Sequence, residues 1–148
     1  MGFSLWLQRG AYELELGNLD SATQFLDQAR SLRSDDRYVA VEYGYLLIKK
    51  AIRLGDREQA RELFEEGFAM LEELVSQHGR VMAHPYDILG RQSLDWIAAA
   101  QLSRDDARPL LERVMRILED GIRNHVGQRD FVALLERVKG TWLGTAVS

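Results

Sequence analysis

The side chains with most chemistry to offer are three histidines, a glutamate run from Glu58 to Glu73 and arginines scattered after residue 103. His78 and His84 stand six residues apart across a turn, which is not the i,i+4 pair of a zinc-binding helix. The 148-residue chain has no cysteine to complete a ligand set, and His125 is remote in sequence. Asp87 is close enough to His84 in sequence to orient an imidazole. A matching nucleophile is missing, because Ser93 lies inside a helical stretch without the Gly-x-Ser-x-Gly turn that exposes a reactive serine. Glu62, Glu65, Glu66, Glu72 and Glu73 lack the Glu-x-x-His spacing of a bundle metal site and read as a solvated helix face. No glycine-rich phosphate loop is present. The expectation is a non-enzymatic chain with no catalytic residue, no cofactor and no metal.

Charge narrows the partner. Arg104, Arg108, Arg113, Arg116, Arg123 and Arg129 make the last third more basic, but Asp105, Asp106, Glu112, Glu119 and Asp120 interrupt them. Phosphate backbones call for an uninterrupted positive stripe, and the chain carries a net charge of -4, so nucleic acid is not the expected partner. No run approaches the 18 apolar residues of a membrane span, so no membrane insertion is expected. The first nine residues lack the pattern of a secretory leader, and Trp6 stands where a myristoylation signal has Ser or Thr. With no cysteine, the expected location is cytoplasmic.

What remains for recognition is aromatic and amphipathic. Tyr12, Tyr43, Tyr45, Lys49 and Lys50 lie on the first and third predicted helices; Tyr86, Arg91 and Trp96 fall in a less regular segment, His84–Trp96. Such residues offer area with polar handles and are common at interfaces. Trp96 has two readings, a core filler or a contact residue. An alternative function is a small-molecule or catalytic pocket built near His84–Trp96 from His84, Tyr86, Asp87, Arg91 and Trp96.

The elements that must position these residues are helical throughout. Apolar residues recur at three- and four-residue steps, 46% of the chain is hydrophobic and no alternating strand pattern occurs. The spacing predicts helices over about 3–16, 19–32, 37–54, 57–77, 85–100, 106–120 and 129–140. Gly17-Asn18 and Gly55-Asp56 each combine a helix-ending glycine with a side chain able to cap the next helix. Pro109 favours starting the sixth helix at an Asp106 cap rather than at Ser103. Trp142 lies in the tail and either docks on the last helix pair or marks a surface covered by something else.

Gly17-Asn18-Leu19-Asp20-Ser21-Ala22 corresponds to Gly55-Asp56-Arg57-Glu58-Gln59-Ala60, 38 residues on, and weakly to Ser103-Arg104-Asp105-Asp106-Ala107. With Trp6, Gly10, Ala22, Leu26 and Ala29 in one unit and Gly55, Ala60, Phe64 and Gly67 in the next, the chain resembles the tetratricopeptide repeat (TPR) family in divergent form. Arg9, Glu13, Gly44 and Ile48 depart from the family pattern. The resemblance implies an all-α fold, a right-handed stack of antiparallel helix pairs with about seven helices. It would form a single domain over 1–148, with the best matches at 3–34 and 38–72, an irregular third pair at 85–122 and a C-terminal helix at 129–140. It further implies binding of a protein or peptide. Family members that clamp a terminal carboxylate use Lys and Asn where this chain has Leu7 and Ala11, and Glu42 precedes an apolar stretch, so that ligand is not expected. Too few repeats leave ends to cover, which makes a homo-oligomer an expectation too.

Overall fold

The apolar periodicity resolves into seven helices in a computed structural model that describes residues 2–145: α1 (Phe3–Glu15), α2 (Leu19–Leu32), α3 (Arg37–Leu54), α4 (Glu58–His78), α5 (His84–Ala99), α6 (Arg104–Asn124) and α7 (Arg129–Thr145). Met1 and residues 146–148, the margins of the expected domain, lie outside the described residues. No strand occurs among the described residues. The fold is all-α. Among the described residues no helix is long and apolar enough to cross a membrane.

Each helix packs on no more than the next two along the chain. α1 meets α2 and α3, α3 meets α4 and α5, and α5 meets α6 and α7, while α2, α4 and α6 each meet the helix that follows. Among the described residues the backbones of α2, α4 and α6 do not approach one another, whereas the odd helices touch in sequence. Among the described residues the contact order is open, since helices three or more apart along the chain do not meet. One buried cluster runs through it from Leu14 to Val138.

Small residues set the spacing. Gly10 lies on Leu26, where an added Cβ would come 2.7 Å from the Leu26 Cγ. At the α3–α4 crossing two glycines face each other: a Cβ on Gly67 would stand 2.7 Å from the Gly44 carbonyl oxygen and 2.9 Å from Ile48. Ala22 and Ala60 are fully buried. Gly44 and Ile48, which depart from the repeat pattern, are thus the residues that receive Gly67.

The termini of the helices differ from expectation in several places, among them the end of α6, which runs to Asn124 rather than to 120. Gly17 and Gly55 do turn the chain at φ 81° and 76°, conformations that favour glycine. The paired capping device does not follow, because Asn18 makes no side-chain cap and donates instead to Glu13 at 2.8 Å, while α4 is preceded by Arg57 rather than capped by Asp56. Asp36 does cap α3, accepting from the amides of Tyr38 and Val39. The sixth helix starts at Arg104, not later: Ser103 accepts from the Asp106 amide at 3.2 Å. Pro109 then sits inside the helix and is exposed, so the carbonyl it leaves without a helix partner is near water. α7 runs to Thr145, five residues past the expected end, because Trp142 docks on α6. Its Nε1 donates to Glu112 at 3.1 Å and the Arg108 guanidinium lies 4.6 Å from the ring centre.

The glycine crossing predicts opposite signs for two Gly→Ala changes. Gly67→Ala, against backbone that cannot yield, should lower unfolding stability by about 2 kcal/mol. Gly140→Ala, on an exposed turn of α7 with nothing within 4 Å, should raise it by about 0.5–1 kcal/mol through helix propensity. Urea unfolding of both variants checks this; equal shifts would contradict the crossing.

Candidate functional site

α3 passes between the other odd helices, and its sequence is nearly all apolar from Val39 to Ile48 except for one acid, Glu42. Glu42 lies 200° around the helix from Gly44, so the side of α3 opposite its crossing with α4 carries the carboxylate. There a hollow of about 300 Å³ opens between α1, α3 and the connection leading into α5. Leu7, Val41, Val81, Met82 and Ala83 form apolar walls; Tyr38, Glu42 and His84 supply the polar lining.

The carboxylate is poorly solvated. The Glu42 side chain is 15% exposed, and the nearest basic side chain paired with it is His84, whose Nε2 stands at 3.8 Å, beyond hydrogen-bond length. Burial first, and the Glu15 charge on α1 second, push its pKa up from the ordinary 4.5 to about 7. Tyr45, one turn along α3, has its hydroxyl pushed up to about 12. Burial is again the largest cause, followed by the charges of Glu15, Glu42 and Asp87. Carboxylates from α1, α3 and α5 therefore act on a single phenol.

The cations nearby are held elsewhere. Lys49 Nζ lies 5.3 Å from the centre of the Tyr45 ring. Arg91 donates to Asp87 at 2.8 Å, a hydrogen bond that raises the guanidinium pKa. Among the described residues, no three His, Asp or Glu side chains are placed to hold a metal ion.

Of the residues singled out in the sequence, Tyr45, Lys49 and Arg91 belong to this neighbourhood. Tyr86 and Trp96 do not offer a surface, since they are 1% and 3% exposed. Trp96 stacks on Phe64 of α4 with ring centres 4.8 Å apart, the core reading of the two considered. Tyr86 packs under Gly121 and against Phe131, and its hydroxyl accepts from Asn124 at 3.0 Å. The residues of the alternative pocket are consequently not convergent: His84, Asp87 and Arg91 lie toward the outside of α5, with Tyr86 and Trp96 in its core. Tyr43 turns to α2, where the Arg30 guanidinium covers its ring at 4.8 Å, and Lys50 shares that stripe at i+7. Tyr12 is 60% exposed and aligns with Leu5 and Leu16 along the outer side of α1.

A larger cleft, about 1120 Å³, runs along α4 and α6, and Arg37, Arg80, Arg113 and Arg116 line it together with Glu72 and Asp120. Arg113 is committed to Glu72 with both nitrogens, and Asp120 pairs with Arg123. The Arg113–Glu72 pair, which crosses from α6 to α4, also answers part of the glutamate face.

Comparison with family models, with curated proteins and with solved structures returned no match, and the chemistry of the site rests on its own residues.

Burial of Glu42 carries a pH signature. Its folded-state pKa lies above the unfolded value, so the native chain holds a proton that the unfolded chain releases between about pH 4.5 and about 7. The contribution of this group to stability is complete below that window and lost as pH rises through it. Glu42→Gln should therefore match the parent near pH 4.5 and exceed it by about 2–3 kcal/mol at pH 8. Chemical denaturation across pH 4.5–8 measures the difference; a constant offset would contradict the burial of an ionised carboxylate.

Proposed function

We propose that this chain is a non-enzymatic, divergent TPR-like module that binds a protein or peptide segment along the layer of its odd helices. The observation that carries this reading is the hollow at the meeting of α1, α3 and the start of α5, apolar on its walls and charged at one side. Such a surface suits an extended segment that buries one side chain and lies across neighbouring helices. The succession of helix contacts supports stacked pairs, α1–α2, α3–α4 and α5–α6, closed by α7. The cytoplasm is the compartment that accompanies this reading.

Filling the hollow tests it. Heptapeptides selected on the full chain from a random displayed library should bind Ala83→Phe at least tenfold more weakly. They should keep their affinity for Lys50→Ala, which changes the α2 side of α3. Unchanged affinity in the filled variant, with an unchanged melting midpoint, would remove this face from the proposal.

Self-association is a second reading, favoured by Leu5, Tyr12 and Leu16, which lie on one stripe of α1 at 52%, 60% and 56% exposure. Light scattering of the full chain should then give a mass above one copy, and Leu16→Arg should return it to a monomer. A monomeric parent at tens of micromolar contradicts this reading.

A further inference from the structure

We propose that the hollow beside α3 receives a long basic side chain, lysine or arginine, of the bound segment, its methylenes on Leu7, Val81 and Ala83 and its cation at Glu42. The inference rests on the peptide-binding reading and names the residue class that the site selects.

Three observations converge on it. The first is an unanswered charge: the Glu42 carboxylate is mostly buried, and among the described residues no lysine or arginine pairs with it. A desolvated anion of this kind is costly until a cation with its own hydrogen-bond donors meets it. Its elevated pKa, about 7, is the same cost seen through protonation. The second is shape. A hollow of about 300 Å³ with aliphatic walls and a carboxylate among its polar groups matches a side chain that is apolar along its stem and charged at its tip. The third is the surrounding field. Glu15 raises the hold of Glu42 on its proton, and both raise that of Tyr45, whereas Asp87 is tied to Arg91 and Lys49 to the Tyr45 ring.

The competing occupants fail on the same grounds. An acidic side chain would bring a second negative charge to a carboxylate that already lacks a partner. A purely apolar one would seal Glu42 further from water and give it nothing in return. His84 is the only titratable group in the lining besides Tyr38 and Glu42. At 50% side-chain exposure and 3.8 Å it stands at the mouth of the hollow, where an incoming cation can displace it.

The test uses the full chain at pH 8 and three blocked pentapeptide pools that carry lysine, norleucine or glutamate at the centre and random residues elsewhere. Amide chemical-shift titration should show the lysine pool moving Leu7, Glu42 and His84, with affinity at least tenfold above the norleucine pool. The glutamate pool should be the weakest. Glu42→Gln should bring lysine down to the norleucine level, and Glu42→Asp, which keeps the charge and shortens its reach, should fall between. Equal binding of lysine and norleucine at these residues would overturn the basic-residue inference and leave the peptide-binding reading standing. So would a lysine preference that survives Glu42→Gln. If none of the three pools binds, both readings fall.

Discussion

Two helices can approach to backbone contact only where a side chain is nearly absent, and this chain places such gaps at successive joints. Gly10 lies against Leu26 between α1 and α2; Gly44 and Gly67 face each other between α3 and α4. Gly90 takes Leu134 between α5 and α7, and Gly121 takes the Tyr86 ring between α5 and α6. A leucine or an aromatic ring fills the space at all four of these joints, Leu71 doing so beside Gly44, so close approach is converted into many short dispersion contacts. The mid-helix cost of glycine, about 1 kcal/mol each relative to alanine, is small beside a lost core side chain. Packing decides these positions, and helix propensity yields.

The same constraint orients the candidate site. Because Gly44 must face α4, residues two positions away in sequence are turned to the opposite side of α3, and Glu42 is one of them. The rim opposite is fixed by the α4–α5 connection. His125 Nε2 donates to the Gly79 carbonyl at 2.6 Å, and since a carbonyl only accepts, the proton lies on Nε2. Asn124 holds Tyr86 by its hydroxyl, and the rings of Tyr86, His125 and Phe131 meet edge to face or tilted. Residues from α5, α6 and the α6–α7 joint thereby anchor the segment that carries Val81, Met82 and Ala83 to the hollow. His125, with no catalytic partner in the sequence, acts as a structural clasp.

Much of the fold was legible because it is written in local period and punctuation. Seven helices and the glycine turns at Gly17 and Gly55 follow from spacing and short-range stereochemistry. The start of α6 and the end of α7 did not, since an exposed proline is tolerated where its neighbour's carbonyl reaches water. The last turns of α7 depend on Trp142 meeting Glu112 and Arg108, thirty and more residues away. The site was less legible than the fold. Tyr43 and Tyr45 differ by two positions and so face different neighbours, one toward Arg30 and the other toward Lys49. Tyr86 and Trp96 carry interface chemistry in the abstract, but the depth of a ring is a tertiary property. The local signal that pointed to the hollow was a lone acid within an apolar helix, Glu42, and its weight became visible only with the α4–α5 connection laid beside it.

Why Glu42 stays unanswered within its own fold is a matter of reach. Lys49 is seven residues further along α3, a rise of about 10.5 Å, longer than its side chain spans. It settles on the Tyr45 ring one turn nearer instead. Arg91 meets Asp87 at i+4 on its own helix before it can reach across to α3, and a bond within one helix needs no movement between layers. His84 approaches closest, yet stops short of hydrogen-bonding distance. Lys49 and Arg91 thus each have a local partner that is geometrically simpler than Glu42. The carboxylate is left with burial on one side and Glu15 on the other, and both act in the same direction. A proton, or a basic side chain supplied from outside the fold, would offset both.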